Sequence, residues 1–249
     1  MTTPSFLTTS TGRKIAYHRT EGTEPGIVFL GGFKSDMDGT KAVWLEEWAK
    51  SQGRAFLRFD YSGHGQSSEK FVDGAIGDWA ADAQEVIETL TSGPQVLVGS
   101  SMGGWISLLM TQRIPQRVCG LVGIAAAPDF TEDGFWAGFT EEQRAALEAD
   151  GQIALPSDYD EPYIITKRLI EDGRDQLVLR TPLPLPFPVR FLQGTADTSV
   201  SVATAVKLLE HAEGADMRLT LVDGADHSFS APDCLELIAN SILEVTARA

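Results

Sequence analysis

The chain has 249 residues, 43% of them hydrophobic, with a mean hydropathy of -0.07, values that suit a globular protein able to bury its core without disulfide or metal staples. Its 35 acidic and 20 basic residues give a formal net charge of -15, which repels a phosphate backbone and excludes nucleic acid as a partner. Cys119 and Cys234 each sit in an apolar stretch and read as reduced core residues, and the N-terminal stretch carries no signal-peptide or transit-peptide pattern. The longest apolar run, Val118 to Ala127, is about half of the ~20 residues a bilayer span needs. The expectation is a soluble, cytoplasmic chain with no stable membrane insertion.

In chain order, segments Ser5 to Thr9 and Lys14 to Thr20 flank Thr11-Gly12 and predict an antiparallel hairpin at a sheet edge. Apolar runs bounded by turn residues follow at Gly26 to Gly32, Ala55 to Asp60, Gln95 to Ser100, Val118 to Ala127, Val189 to Gly194 and Met217 to Val222, and they read as buried parallel strands. Helical segments lie between them at Thr40 to Ser51, Gly77 to Thr91, Ser101 to Arg113 and Val202 to His211, with a last helix from Ala231 that Ser230 and Asp233 would cap. This alternation predicts one α/β domain over residues 1–249, with a mostly parallel eight-stranded sheet, helices on both faces and a ligand site beyond the strands' carboxyl ends. The rhythm breaks only at residues 128–187. That segment is too long for a simple connection and reads as a small cap with helices near Glu141 to Asp150 and Pro162 to Glu171, leaving residues 1–127 and 188–249 as the core. It returns through the proline-rich stretch Pro182 to Pro188, read as a stiff extended linker rather than a PxxP ligand.

Gly99-Ser100-Ser101-Met102-Gly103 matches G-x-S-x-G between a strand and a helix, where the central serine occupies a strained turn and flanking glycines spare the tight backbone a Cβ. Ser100 is the competing hydroxyl but has no glycine two residues before it. A serine nucleophile needs a base and an orienting acid. Of the four histidines, His18 lies in the edge hairpin, His211 ends a helix and His64 follows a strand and is a candidate for lining the site; His227, in the loop after the last strand, is the best base. Asp197 ends a strand and falls between nucleophile and base in the chain, the order this architecture uses; Asp223 and Asp226 crowd the histidine loop and Asp60 precedes the serine. Backbone N–H groups of Phe33, after Gly31-Gly32, and Met102 are the expected oxyanion donors. Gly32, Phe33, Met102, Phe135 and Trp136 are the expected substrate-pocket residues. Gly63-His64-Gly65 lacks a third glycine at dinucleotide-binding spacing, no P-loop is present, and no histidine or cysteine cluster has metal-ligand spacing, so neither cofactor nor metal is expected.

Longer stretches carry a family resemblance: Phe29 to Glu47 (FLGGFKSDMDGTKAVWLEE), Phe56 to Ser67 (FLRFDYSGHGQS), Gly93 to Trp105 (GPQVLVGSSMGGW) and Ala154 to Tyr159 (ALPSDY). The chain resembles the α/β-hydrolase subfamily of palmitoyl-protein thioesterases and mycophenolic acid acyl-glucuronide esterases. The resemblance implies Ser101, Asp197 and His227 as triad, Phe33 and Met102 as oxyanion donors, and an acyl ester, thioester or acyl glucuronide as substrate. The missing transit peptide points to a bacterial relative. A cofactor-free haloperoxidase, a C–C bond hydrolase and a non-catalytic ligand-binding protein stay open as alternatives on the same fold. Acyl-chain length and oligomeric state are undetermined at this level.

Overall fold

A computed structural model describes residues 3–155 and 162–249. The chain runs β1 (Ser5–Thr8), β2 (Lys14–Thr20), β3 (Thr23–Leu30), α1 (Thr40–Ser51), β4 (Arg54–Phe59), α2 (Ile76–Leu90), β5 (Gln95–Ser100), α3 (Met102–Arg113) and β6 (Val118–Ile124). Residues 128–187 then contribute a π-helical turn (Phe130–Trp136), α4 (Glu141–Asp150), β7 (Gln152–Leu155), β8 (Tyr163–Thr166), α5 (Lys167–Asp175) and β9 (Leu183–Pro184). The last part is β10 (Val189–Gly194), α6 (Val202–His211), β11 (Ala212–Glu213), β12 (Met217–Val222) and α7 (Pro232–Thr246).

Eight strands form one sheet in the order β1-β2-β4-β3-β5-β6-β10-β12. β2 runs antiparallel to both β1 and β4, and the other neighbours are parallel. Two apolar layers follow from the period-two alternation of side chains. Val28, Leu30 and Leu97 pack with Trp79 of α2 and Trp105 of α3. Ile27, Phe29, Val96 and Val98 face the other way, onto Leu45 of α1 and Ile238 and Ile242 of α7. The fold is therefore the expected α/β sandwich of helices about a mostly parallel sheet. The small strand pairs lie outside it, β7 antiparallel to β8 and β9 parallel to β11.

Among the expected boundaries that shift, such as the strand from Gly26, which starts at Thr23, three do so for a clear local reason. The run Val118 to Ala127 leaves the sheet at Ile124, because Ala125 takes a left-handed φ of 46° and Ala127 donates its N–H to the Ser101 carbonyl. The expected helix from Pro162 starts at Lys167; Tyr163–Thr166 pairs as a strand with Gln152–Leu155, and the Thr166 hydroxyl caps the Leu169 N–H. Ser230 is not the cap of the last helix. Pro232 occupies its first position and forces the preceding Ala231 into extended backbone, so Ala231 is the N-cap and Ser230 bonds the Ser228 carbonyl instead. Of the quoted stretch Ala154 to Tyr159, residues 156–159 lie outside the described residues. Cys234 is buried and Cys119 half-buried, both as free thiols. Among the described residues no helix is long and apolar enough to cross a membrane.

Candidate active site

Ser101 stands at the carboxyl end of β5, between that strand and α3, with φ 55° and ψ -117°. A side-chain-bearing residue is costly there, and its surroundings hold it in place. Ser101 donates its N–H to the Ile124 carbonyl at 2.9 Å, and its own carbonyl accepts from Gly104 at 2.9 Å and Ala127 at 3.1 Å. Both motif glycines are sterically required. A Cβ on Gly99 would lie 2.3 Å from the Gly103 carbonyl oxygen, and one on Gly103 would lie 2.0 Å from that of Leu30.

Two loops at the same end of the sheet complete the arrangement. His227 Nε2 lies 3.1 Å from Ser101 Oγ, and its Nδ1 lies 2.8 Å from Asp197 Oδ2. Asp197 follows β10 and has no exposed side-chain surface. Burial alone would raise its carboxyl. Hydrogen bonds from His227, the Val200 N–H and Gln193 outweigh that and hold it below the usual carboxylate range. Oδ1 accepts from the Ser199 and Val200 N–H groups at 2.9 and 2.8 Å, and Oδ2 from Gln193 Nε2 at 3.0 Å. The carboxylate therefore meets the Nδ1–H of the imidazole and leaves Nε2 to accept from the serine. The loop bearing His227 is tied to the Asp197 loop by Ala196 N–H to the Ala225 carbonyl and Thr195 Oγ1 to Asp223. Asp226 accepts from Ser228 and from Phe229, so both acids crowding the histidine brace its loop.

The loop after β3 approaches the serine from the other side. A Cβ on Gly32 would lie 3.4 Å from Ser101 Cβ and 4.0 Å from Oγ. The next residue, Phe33, and Met102 at the first position of α3 donate their backbone N–H to no other residue among those described. Lys34 adopts φ 55°, and its N–H donates to His64 Nε2 at 3.3 Å while His64 Nδ1 donates to the Ser62 carbonyl at 3.1 Å. His64 thus sits beneath the loop as a brace rather than along the site. Burial lowers its imidazole to about 4, with the Ser62 carbonyl acting in the opposite sense, so it stays a neutral acceptor. His18 lies on β2, and His211 bonds the Thr181 carbonyl. Asp60 joins two loops, accepting from Met37 and Gln66 N–H groups.

Ser101 and His227 open on a cleft of about 730 Å³, within the roughly 300–1,000 Å³ usual for small-molecule sites. Gly32, Phe33 and Phe135 line it, together with Phe130, Leu155 and Tyr163, which carry no signal of this in the sequence. Phe33 is the hub: its ring centroid lies 5.5 Å from Phe130, 5.9 Å from Phe135 and 6.0 Å from Tyr163, all on the 128–187 segment, and 4.8 Å from Phe71 of the core. Two expected pocket side chains lie elsewhere. Met102 is wholly buried beneath the elbow, and Trp136 places its ring against the Arg144 and Arg174 guanidinium groups, 5.1 and 4.6 Å from its centroid. Asp129 also went unseen in the sequence. Buried and left-handed at φ 58°, it accepts from the Val178 and Leu179 N–H groups and pairs with Arg180, clasping the two ends of the segment together.

Residues 27–206 match the model of a family described as alpha/beta hydrolase fold. The chain is 36% identical over 246 residues to "Palmitoyl-protein thioesterase ABHD10, mitochondrial" of Bos taurus, covering 97% of this chain and 79% of that protein. The solved structure of alpha/beta hydrolase domain-containing protein 10 from mouse superposes with a TM-score of 0.90 at 33% identity, over 98% of both chains. A putative hydrolase from Agrobacterium vitis S4 superposes with a TM-score of 0.93 at 38% identity, again over 98% of both. Fold, family model and similarity over most of both chains agree: the chain belongs to the α/β-hydrolase family and is similar in sequence and structure to its ABHD10 members.

Proposed function

We propose that this hydrolase cleaves carboxylic thioesters and esters through an acyl-enzyme on Ser101, with His227 as general base and acid and Asp197 orienting it. The observation that carries the reading is the unbroken hydrogen-bond chain Asp197–His227–Ser101 at 2.8 and 3.1 Å, opening on an aromatic-lined cleft. Ser101 Oγ attacks the acyl carbonyl while His227 Nε2 takes the hydroxyl proton, and Asp197 stabilises the imidazolium. The oxygen, now negative, accepts from the Phe33 and Met102 N–H groups, which donate to no other described residue. Collapse expels the leaving group and leaves an ester on Ser101. The imidazolium gives its proton to the leaving atom; water then attacks the ester as His227 takes a proton again, and His227 returns that proton to Ser101 Oγ as the acid departs.

S-acyl thioesters lead as substrates, with acyl glucuronides second. The similar bovine protein's name specifies a palmitoyl-protein thioesterase, and the rings of Phe33, Phe130, Phe135 and Tyr163 suit an apolar acyl group. The test is kcat/KM for a thioester and an oxygen ester with matched acyl chains, with Ser101→Ala as blank. A thiolate leaves at a pKa near ~8.5 and needs little protonation, whereas an alkoxide depends on acid help from His227. Expected are a thioester preference, a loss of several orders of magnitude in Ser101→Ala, and covalent labelling of Ser101 by a fluorophosphonate. Unchanged turnover in Ser101→Ala, or no turnover of either substrate, would sink the reading.

A further inference from the structure

The cleft has two unlike parts. Rings of Phe33, Phe130, Phe135 and Tyr163 line the part beneath the 128–187 segment. The part between the start of α1 and the His227 loop is lined instead by Ser35, Gly39, Thr40, Lys41, Ser228 and Ser230. Lys41 is half-buried there, and that burial draws its ammonium below the usual lysine range, with Asp226 acting in the opposite sense. One of its three N–H donors goes to the Ser228 backbone carbonyl, and it forms no ion pair with any described residue. The two buried arginines are compensated differently: Arg58 meets Glu46 and Asp38 at 2.7 Å, and Arg190 meets Glu244 at 2.9 Å. Asp36, which also lines this part, is exposed and accepts from the Asp38 N–H at 2.9 Å.

A half-buried cation whose hydrogen-bond partner is one neutral carbonyl is undercompensated, and a carboxylate or phosphate oxygen is the group that completes it. Position says which end of a substrate supplies that oxygen. The leaving atom receives its proton from His227 Nε2, so the leaving group lies on the histidine side of Ser101, and Lys41 is bonded to the residue after that histidine. We infer that Lys41 anchors an anionic group, a carboxylate or a phosphate, carried by the leaving group of the substrate. The inference rests on the hydrolase reading above and adds a specificity residue to it.

The experiment compares kcat/KM within two substrate pairs sharing one acyl chain, in the wild type, Lys41→Met and Lys41→Arg. The first pair is the S-acyl thioester of mercaptopropionate against that of mercaptopropionamide; the second is S-acyl phosphopantetheine against S-acyl pantetheine. The wild type is expected to prefer the anionic member of at least one pair by about tenfold. Lys41→Met should bring that ratio to near one and Lys41→Arg should keep most of it, and the pair that responds names the source of the anion. If Lys41 only steadied the Ser228 loop, its loss would lower both members of a pair alike and leave the ratio intact. Ratios near one in the wild type for both pairs, or a preference that survives Lys41→Met, overturn the inference while turnover of the neutral members leaves the hydrolase reading standing. Absence of Ser101-dependent turnover on all four substrates overturns both.

Discussion

The strand ends that carry Ser101, Asp197 and His227 and the described part of the 128–187 segment, whose rings line the cleft, are held by different physics. At the strand ends, backbone meets backbone: Gly103 lies against the Leu30 carbonyl, Ala125 donates to Leu192, and Ala196 donates to Ala225. Such contacts have one arrangement and no slack. The segment is held instead by rings around Phe33, by Asp129, and by surface pairs such as Arg174–Glu132 and Lys207–Asp133. Exposed pairs of this kind contribute little each, and rings can repack. The contrast suits the proposed chemistry, which would need the reacting atoms fixed within fractions of an ångström but a cleft that admits acyl groups of varied shape.

Breaking the strand-end side should have the larger effects. Asp197→Asn keeps the size of the side chain but removes the charge and favours the wrong imidazole tautomer, and kcat should fall about 10⁴-fold with little change in KM. A drop of less than tenfold would place the orienting acid elsewhere. Gly103→Ala forces a Cβ to within 2.0 Å of a backbone carbonyl that belongs to a central strand. It should cost about 4 kcal/mol or more, read as a fall in the denaturation midpoint. A cost below about 1 kcal/mol would mean the elbow relaxes as readily as the roof.

His64 adds a pH dependence to the strand-end side. In the folded protein its imidazole stays neutral until about pH 4, whereas in the unfolded chain it takes a proton near 6.5. Its contribution to stability is therefore fully present above pH 6.5 and is lost as pH falls from there toward 4, by about 3 kcal/mol as an order of magnitude. Denaturant titrations across that window should show a steeper loss for the wild type than for His64→Gln, and parallel curves would refute this account.

The segment should respond more mildly. Asp129→Asn tolerates the left-handed backbone but gives up one acceptor for the Val178 and Leu179 N–H groups and the charge that meets Arg180. Hydrogen exchange should quicken at residues 176–180, global stability should fall by about 1–2 kcal/mol, and KM should rise several-fold while kcat holds. If kcat fell as far as KM rose, the roof would be setting the geometry of the reacting atoms, and the distinction between the two regions would fail.

Much of this was legible in the chain. Strands such as Gln95–Ser100, Val189–Gly194 and Met217–Val222 announce themselves as short apolar runs between turn residues, and a nucleophile elbow has a local signature because its glycines answer to local crowding. Ser101, Asp197 and His227 stood out because each follows a strand in the order the topology requires. The 128–187 segment was less readable. Its short pieces are amphipathic in ways that suit a helix or a strand, and Tyr163–Thr166 became a strand only because Gln152–Leu155 lay ready to pair with it.

The sequence by itself determined the sheet, the elbow and the identity of the three residues that meet there, since periodicity, glycine and chain order are local properties. Only the tertiary structure decided which side chains surround them. Trp136 turns to its arginines while Phe130, its neighbour in the same helical turn, turns to Phe33; His64 becomes a neutral brace; Lys41 is left in the cleft with one carbonyl for a partner. The reason is physical: a side chain's partners come from elements distant in sequence, and no short stretch of sequence records which of them arrive.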